Sequence, residues 1–521
     1  MIKFIVNLKN IGITKLKKVN ELRAGALLSY VNIAITTIIP LLYTPIMLKM
    51  LGQSEYGLYS LSNSIISYLS ILNFGMGSAV VRYITAARAE ENKDKVERTM
   101  GLFLKIYGAL ALLVLIVGGI ITIFVDSLFA KGLSVEEINK LRILMIIMSV
   151  STAISFPLSV YSSVLISYEK YIFRRILDIT STVMLPILNL VVLFMGEGSI
   201  GMAAVGLVIQ VVYGYVYIHY CKRKIGVKAK YDKLNYDMLK EIWGFTAFVF
   251  LGMIVDMLYW ATDKVLIGAL IGSVAVAVYN IGGVFTSMVN SMSSAISNVF
   301  SSRITTMVVK DQPIEKLSEL LIRIGRIQYL VIAFIISGYI VFGKAFIHFW
   351  SGDTYMEAYY IALYTMIPLA IPLIQNVAYN TILAQKKHKF RSIIYAIIAV
   401  VNVISTYMAI PKYGIIGAAV CTAIAYVIGN GIIMNIYYYK VTKLDIPKFW
   451  LNIAKISIVP VIFSIAGLYI VNKILIINSI KLFLIEVIVY SVLYIVCIWL
   501  TSMNQYEKSI FYDMIKFIKK K

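Results

Sequence analysis

Apolar residues run along this chain in long stretches, each about the length needed to cross a lipid bilayer, separated by short polar links. A hydrocarbon core about 30 Å thick takes roughly 20 residues of apolar helix. Inside it only helices and closed barrels satisfy every backbone group. Read this way, the pattern predicts fourteen transmembrane helices, at 24–48, 56–81, 102–125, 143–167, 176–196, 200–221, 242–268, 274–300, 327–350, 359–384, 392–410, 415–439, 450–472 and 480–503. The fold expected is an all-α polytopic membrane protein. Basic residues gather in alternate links: Arg82 to Lys105, Lys170 to Arg175, Lys222 to Lys240, Arg303 to Arg326, Lys386 to Arg391 and Lys440 to Lys448. The opposite links are nearly bare. The positive-inside rule then places the basic links and, with an even number of spans, both termini in the cytoplasm.

An internal repeat organises these spans. Leu51-Gly52 and Tyr59 recur as Ile271-Gly272 and Tyr279, and Arg82-Tyr83-Ile84-Thr85 is answered by Arg303-Ile304-Thr305. Pro157-Leu158 then matches Pro372-Leu373, Phe173-Arg174 matches Phe390-Arg391, and Gly198-Ser199-Ile200-Gly201 matches Gly414-Ile415-Ile416-Gly417. Five matches in one order, at nearly constant offset, point to duplication of a six-helix unit. Six is even, so both copies enter the membrane alike and an axis along the membrane normal should relate them, with a substrate path at their interface. The expected division is a cytoplasmic amphipathic segment at 1–23, an N-lobe at 24–221, a basic linker at 222–241, a C-lobe at 242–439, two additional helices at 450–503 and a basic cytoplasmic tail at 504–521. These two pseudo-symmetric six-helix lobes plus two C-terminal helices complete the expected architecture.

Composition agrees with a bilayer setting: of 521 residues, 60% are hydrophobic and only 14% charged, which excludes a soluble globular class. A net charge of +23 would suggest nucleic acid for a soluble protein. Here the charge follows topology, and no nucleic-acid partner is expected. The basic, amphipathic ends suit an anionic membrane surface. Lys3 to Arg23 precede the first apolar run without a small-residue cleavage site, so no signal peptide is expected. Cys221, Cys421 and Cys497 form no CxxC pair, and His219, His348 and His388 are far apart, so neither a disulfide framework nor a metal site is expected.

Charges buried in lipid are costly and mark interior-facing positions. Asp256 and Asp263 lie seven residues apart in the seventh predicted span, nearly on one helical face, with Lys264 adjacent. They are candidates for a cavity or for ion coupling, the alternative being a structural pair. The repeat offset from Asp256 leads to Thr36, so this acidic feature belongs to one half. Arg82 and Arg303 occupy matched positions at the cytoplasmic mouths of matched helices. Guanidinium binds phosphate oxygens bidentately, so the two could clamp a phosphate headgroup, or simply anchor helix ends. Arg174 and Arg391 read as anchors, with Asp178 pairing to Arg174. Asn63 and Asn73 in the second span, and Asn280 and Asn290 in the eighth, form polar tracks that either line a lumen or bond neighbouring helices. Pro40, Pro45, Pro157, Pro186, Pro368 and Pro372 predict kinks. With no Walker loop, ATP hydrolysis is not expected. No cofactor is expected either, and energy would come from a proton or sodium ion or from the membrane potential, worth roughly 2.3 kcal/mol per charge at 100 mV.

The run Met50-Leu51-Gly52-Gln53-Ser54-Glu55-Tyr56-Gly57-Leu58-Tyr59, followed by Asn73-Phe74-Gly75-Met76-Gly77, resembles the first loop and second helix of bacterial polysaccharide-export flippases. Asp263-Lys264-Val265-Leu266-Ile267-Gly268 with Val278-Tyr279-Asn280 resembles their seventh-to-eighth helix region. This family belongs to the multidrug/oligosaccharidyl-lipid/polysaccharide superfamily. The resemblance implies two six-helix lobes, two further helices, a cationic central cavity and movement of an undecaprenyl-diphosphate-linked oligosaccharide across the bacterial inner membrane by alternating access. A monomer is expected, not an enzyme, working beside glycosyltransferases and a polymerase. Apart from Asp256, Asp263 and Lys264 the deep spans are nearly uncharged, a departure from the cationic cavity. Rival readings are a lipid-linked peptidoglycan precursor flippase and a multidrug/cation antiporter. From another class, a membrane oligosaccharide polymerase should carry a large outer loop, which this chain lacks.

Overall fold

A computed structural model describes residues 21–232, 236–387, 389–474, 477–509 and 512. The predicted amphipathic ends, 1–23 and 504–521, therefore lie largely outside the described residues, as does His388. No strand occurs among the described residues. The chain forms two compact units, Met1–Met257 with Gly272–Val274, and Leu258–Ile271 with Ala275–Lys521. The division falls at Met257, inside the span expected at 242–268.

The first unit holds α1 (Glu21–Ser70), α2 (Met76–Ala89), α3 (Lys93–Phe129), α4 (Val135–Ser167), α5 (Tyr171–Phe194), α6 (Gly198–Tyr220) and most of α7 (Tyr236–Trp260). α3 packs along α4, α1 along α5 and α4, and α6 against α4 and α5. Side chains fix where helices begin. The Asn92 carboxamide accepts from Lys95 N at the start of α3, and Ser134 and Glu137 form a reciprocal capping box at the start of α4.

The stretch following Gly52 knots the helix ends of this unit together. Glu137 Oε1 accepts from Ser54 Oγ and Ser273 Oγ, both at 2.5 Å. Glu55 accepts from the backbone N and Oγ of Ser199 at 2.7 and 2.8 Å and from Lys140 Nζ at 2.9 Å. At the opposite sequence boundary, residues 226 to 232 run as an extended strap along the first turns of α3. Lys230 N donates to the Glu97 carbonyl at 2.9 Å, and Lys230 Nζ reaches Asp94 at 2.6 Å and Glu97 at 3.3 Å. The Asp94 hydrogen bond, then that of Glu97, holds the Lys230 ammonium above the usual lysine pKa.

Gly101 makes the strap possible, because a Cβ there would overlap the Lys230 carbonyl. Gly101→Val is therefore expected to detach the strap and to raise trypsin cleavage after Lys228 and Lys230 at least about tenfold, the scale of one lost charge-assisted hydrogen bond. Gly119→Val, where nothing lies within 4 Å of an added Cβ, should leave the cleavage unchanged. Equal cleavage of the two variants would refute the strap.

The second unit contains α8 (Thr262–Leu270), all but the first two residues of α9 (Ser273–Val309), α10 (Ile314–Trp350), α11 (Ala358–Ile374), α12 (Asn376–Ala384), α13 (Lys389–Tyr426), α14 (Met434–Lys440), α15 (Ile446–Lys473) and α16 (Ile480–Thr501). The two additional helices, α15 and α16, pack on α10. Val341 and Phe342 of α10 meet Val459, Phe483, Tyr490, Tyr494 and Ile498 there, a dry and largely aromatic core. Polar side chains bond α9 to its neighbours: Thr286 to Thr365 at 2.6 Å, and Gln328 Nε2 to the Ser293 carbonyl at 3.2 Å. In lipid, where burial of apolar surface does not favour helix association, such bonds and close packing carry it.

Among the described residues ten helices are long and apolar enough to cross a membrane, and α11 with α12, bent by 47°, forms one more. α1 leaves helical geometry at Gly52 (φ 75°, ψ 173°) and α13 does so at Gly414 (φ 59°, ψ −149°). α1 therefore supplies the first predicted span and, with α2, the second, while α13 supplies the eleventh and, with α14, the twelfth. The span expected at 242–268 is broken at Ala261 into α7 and α8.

Backbone geometry repeats with the sequence. Gly52 and Gly272 both have left-handed φ (75° and 136°), as do Gly198 and Gly414 (57° and 59°) and Glu169 and Lys386 (57° and 58°). Phe173 stacks on Tyr220 at 3.8 Å between centroids, and Phe390 stacks on Tyr437 at 4.5 Å. The partners of these two stacks are separated by the same offset of 217 residues. Conformations that L-residues seldom adopt, recurring at the repeat spacing, are independent support for the duplicated architecture.

Candidate functional site

The break at Ala261 restarts the chain as α8, whose second residue is Asp263. The chain turns at Ile271-Gly272, where φ of 136° favours glycine. α9 then returns so that residues sixteen positions apart meet. Tyr279 Oη donates to Asp263 Oδ2 at 2.5 Å, and Lys264 Nζ donates to Asn280 Oδ1 at 2.8 Å. The paired motif residues are thus a paired contact.

The two arms of α13 close the node around Asp263. Thr422 Oγ1 donates to Asp263 Oδ2 at 2.9 Å and accepts from Asn402 Nδ2 at 3.1 Å. Thr406 lies one turn beyond Asn402, beside the Cys421 thiol. Asp263 is 3% exposed, and Asn402, Thr406 and Thr422 are buried. Asp263 Oδ1 and Asn402 Oδ1 have no hydrogen-bond partner, and Thr406 Oγ1 has the Cys421 thiol beside it. The node is therefore rich in acceptors, and the adjacent Lys264 ammonium, which acts on Asp263 electrostatically, gives its hydrogen bond to Asn280. Buried oxygens without donors are costly, and a proton or a small hard cation with oxygen ligands is what would relieve them. No cluster of three or more His, Cys, Asp or Glu side chains that could hold a metal ion occurs among the described residues.

The first unit carries a neutral counterpart. At an offset of 220, Asp263 and Tyr279 correspond to Tyr43 and Tyr59, and at 217 Thr406 corresponds to Asn189. The Tyr43 hydroxyl lies among Asn189, Tyr59 and Tyr56. The same framework thus holds a phenol in one copy and a carboxylate in the other.

The remaining sequence candidates are scattered. Arg82 is exposed on α2, its Cζ 5.9 Å from the Tyr83 ring centroid, and Arg303 is exposed on α9 in the second unit. The Asp256 side chain lies outside the described residues, although its helix α7 is described. Asn63 Nδ2 bonds back to the Tyr59 carbonyl at 2.8 Å, and Asn73 Oδ1 accepts from Gly75 N at 2.6 Å, closing the turn between α1 and α2. Asn290 is half-buried on α9. Asp178 pairs with Arg175 at 3.5 Å rather than with Arg174. Asn402, Thr406 and Thr422 were not singled out from sequence. The i, i+4 spacing of Asn402 and Thr406 in an apolar run was the available signal.

Residues 22–303 match the profile of the family described as polysaccharide biosynthesis protein. The fold is similar to that of the lipid II flippase MurJ in an inward closed conformation, with a TM-score of 0.69 and 18% identity over 94% of this chain and 99% of that one. It is also similar to an inward-facing multidrug resistance MATE family transporter of the MOP superfamily, at TM-score 0.64 and 14% identity over 82% of this chain and 99% of that one. A Vibrio cholerae MATE transporter, VcmN, gives a TM-score of 0.55 and 14% identity over 82% of this chain and 98% of that one. Among curated proteins none matches. Matched over more than half its length, the chain belongs to the polysaccharide biosynthesis protein family.

Proposed function

We propose that the protein flips an undecaprenyl-diphosphate-linked oligosaccharide from the cytoplasmic to the outer leaflet of a bacterial inner membrane by alternating access, with both termini in the cytoplasm. The observation that carries this reading is the family match over residues 22–303, which ties the chain to polysaccharide biosynthesis. The substrate's hydrated head needs a polar passage, while its polyprenyl tail remains in lipid. Arg82 and Arg303, both exposed and at matched repeat positions, are the residues proposed to grip the diphosphate. Asp263, with the acceptor-rich node around it, is proposed to couple transport to a proton or sodium ion. Asp256 remains a second candidate for that role, with Lys264 a positioning residue at the node. Asn63, Asn73, Asn280 and Asn290 would line the polar path. Glycosyltransferases and a polymerase would supply and consume the lipid-linked unit.

The test is outward movement of a lipid-diphosphate oligosaccharide in proteoliposomes. Arg82→Ala and Arg303→Ala should each lower the rate about tenfold or more, as expected for loss of one charge-assisted phosphate contact. Lysine at either position should restore only part of it. Full transport by the double alanine variant would eliminate the clamp. Faster transport of a lipid-linked peptidoglycan precursor, or of a hydrophobic cation, would move the assignment to the corresponding rival.

A further inference from the structure

Two irregularities set the second unit apart from the first. The span holding Pro372 is bent by 47° at Gln375, between α11 and α12, whereas α4, which carries the matching Pro157, runs unbroken from Val135 to Ser167. Proline alone therefore does not make the bend. Between α13 and α14 the chain winds as a π-helix over Val427–Ile433. The matching positions, 210–216, are regular helix in α6, and the π-helical turn that follows α6 lies beyond them at Cys221–Ile225. A π-helix closes on the fifth residue instead of the fourth, and such turns often mark functional positions.

One side chain joins both irregularities. Asn435 Nδ2 donates to the Asn430 and Gly431 carbonyls of the π-helix at 2.7 and 2.9 Å. Its Oδ1 accepts from Gln375 Nε2, at the bend, at 2.6 Å and from Trp450 Nε1 of α15 at 2.8 Å. Both donors and both lone pairs of the carboxamide are thus used. Gln375, Asn430 and Asn435 are buried, where a lost partner is costly. Phe449, next to Trp450, and the Ile374 carbonyl both lie against Gly325 of α10, and a Cβ there would overlap each of them. α15 is thereby held close to the bend. At offsets of 215 and 217 the first-unit counterparts of Gln375 and Asn435 are Val160 and Ile218, and α15 lies outside the duplicated unit. Where the polar relay is present the helices are irregular; at the matching positions of the first unit, where valine and isoleucine stand, they are regular.

We propose that α15 latches the tenth and twelfth predicted spans in their irregular form through Asn435. The alternative form is the one that the first unit displays, with α11 and α12 in line and Val427–Ile433 wound as α-helix. Rewinding the π-helix turns the helix that follows by the angle of one residue, about 100°, which carries Asn435 off Gln375 and Trp450 together. The two changes are therefore coupled, and they displace α12 and α14, the ends of these spans predicted to face the cytoplasm. That the displacement serves the opening of a carrier rests on the flippase reading; the latch itself does not.

Hydrogen–deuterium exchange of the full-length protein in lipid nanodiscs, read by mass spectrometry, tests the latch without a substrate. Trp450→Phe keeps a ring and removes the N–H. It should raise exchange about fivefold, the scale of one buried hydrogen bond, in Asn376–Ala384 and Val427–Ile433 together, and leave α9 and α16 as in the wild type. Tyr329→Phe, which removes the 2.6 Å bond between α10 and Ser457 of α15, should leave both segments unchanged. Asn435→Leu should raise exchange in both segments further, and adding Trp450→Phe to it should change nothing more. Gln375→Leu should loosen Val427–Ile433 as well as its own segment, which decides the matter if Asn435→Leu fails to fold. Unchanged exchange in Trp450→Phe would overturn the latch. So would an equal rise throughout the chain, as a merely structural bond would give, or the same two-segment rise in Tyr329→Phe. Loosening of Asn376–Ala384 alone in Gln375→Leu would show separate bonds without coupling, and would also overturn it.

Discussion

Asp263→Asn should abolish the response of transport to an imposed ion gradient while leaving the protein folded in the membrane. The amide is nearly isosteric with the carboxylate, and its oxygen can still accept from Tyr279 Oη and Thr422 Oγ1. What it loses is the negative charge that a proton or cation would neutralise. Initial rates driven by sodium or by a pH step should fall at least about tenfold, to the level seen without a gradient, as loss of a charge-assisted interaction of about 1.5–3 kcal/mol requires. Thr406→Val, which deletes a buried oxygen one turn from Asn402, should weaken the gradient response without abolishing it. The measurement is initial-rate transport in proteoliposomes with each gradient applied alone. Retention of full gradient dependence by Asp263→Asn would move coupling elsewhere, with Asp256 the next position to test.

Arg326→Ala should produce the largest loss of stability of any single change considered. Arg326 Nε donates to Glu507 Oε1 at 2.6 Å, while Nη2 donates to Glu507 Oε2 at 3.0 Å and to the Ser502 carbonyl at 2.9 Å. Both side chains are buried, at 7% and 2% exposure. Asn504 completes the arrangement, exchanging hydrogen bonds with Glu507 in both directions at 2.9 Å. The pair fastens the residues after α16 to α10. Removing one partner strands the other charge and costs about 3–5 kcal/mol, whereas replacing both by apolar groups of similar volume is often far milder. Thermal unfolding in detergent should therefore show Arg326→Ala well below wild type and Arg326→Met with Glu507→Leu much closer to it. If the double variant were the less stable of the two, the pair would be contributing more than relief of its own desolvation.

The spans could be read from sequence because a long apolar run in lipid has few ways to satisfy its backbone. The repeat was legible for a related reason: Gly52, Gly272, Gly198 and Gly414 occupy backbone conformations that tolerate little else, so the residue type records the geometry. The node around Asp263 was only half legible. A carboxylate in an apolar helix is conspicuous, but Thr422, 159 residues away, looks like any hydroxyl that bonds its own helix. Ser62 and Ser67 do just that, donating to the Leu58 and Asn63 carbonyls at 2.8 and 2.7 Å. Spacing alone also misassigned the partner of Asp178: i, i+4 pointed to Arg174, while the i, i+3 neighbour Arg175 holds it. Both separations bring side chains together on a helix, and the pattern of residues does not choose between them.

On the coupling proposed for Asp263, a phenol at Tyr43 in the other copy leaves this node one carboxylate and so one ion per turnover. A tenfold concentration difference of that ion is worth about 1.4 kcal/mol. Through this node alone, such a gradient could concentrate cargo by no more than about tenfold.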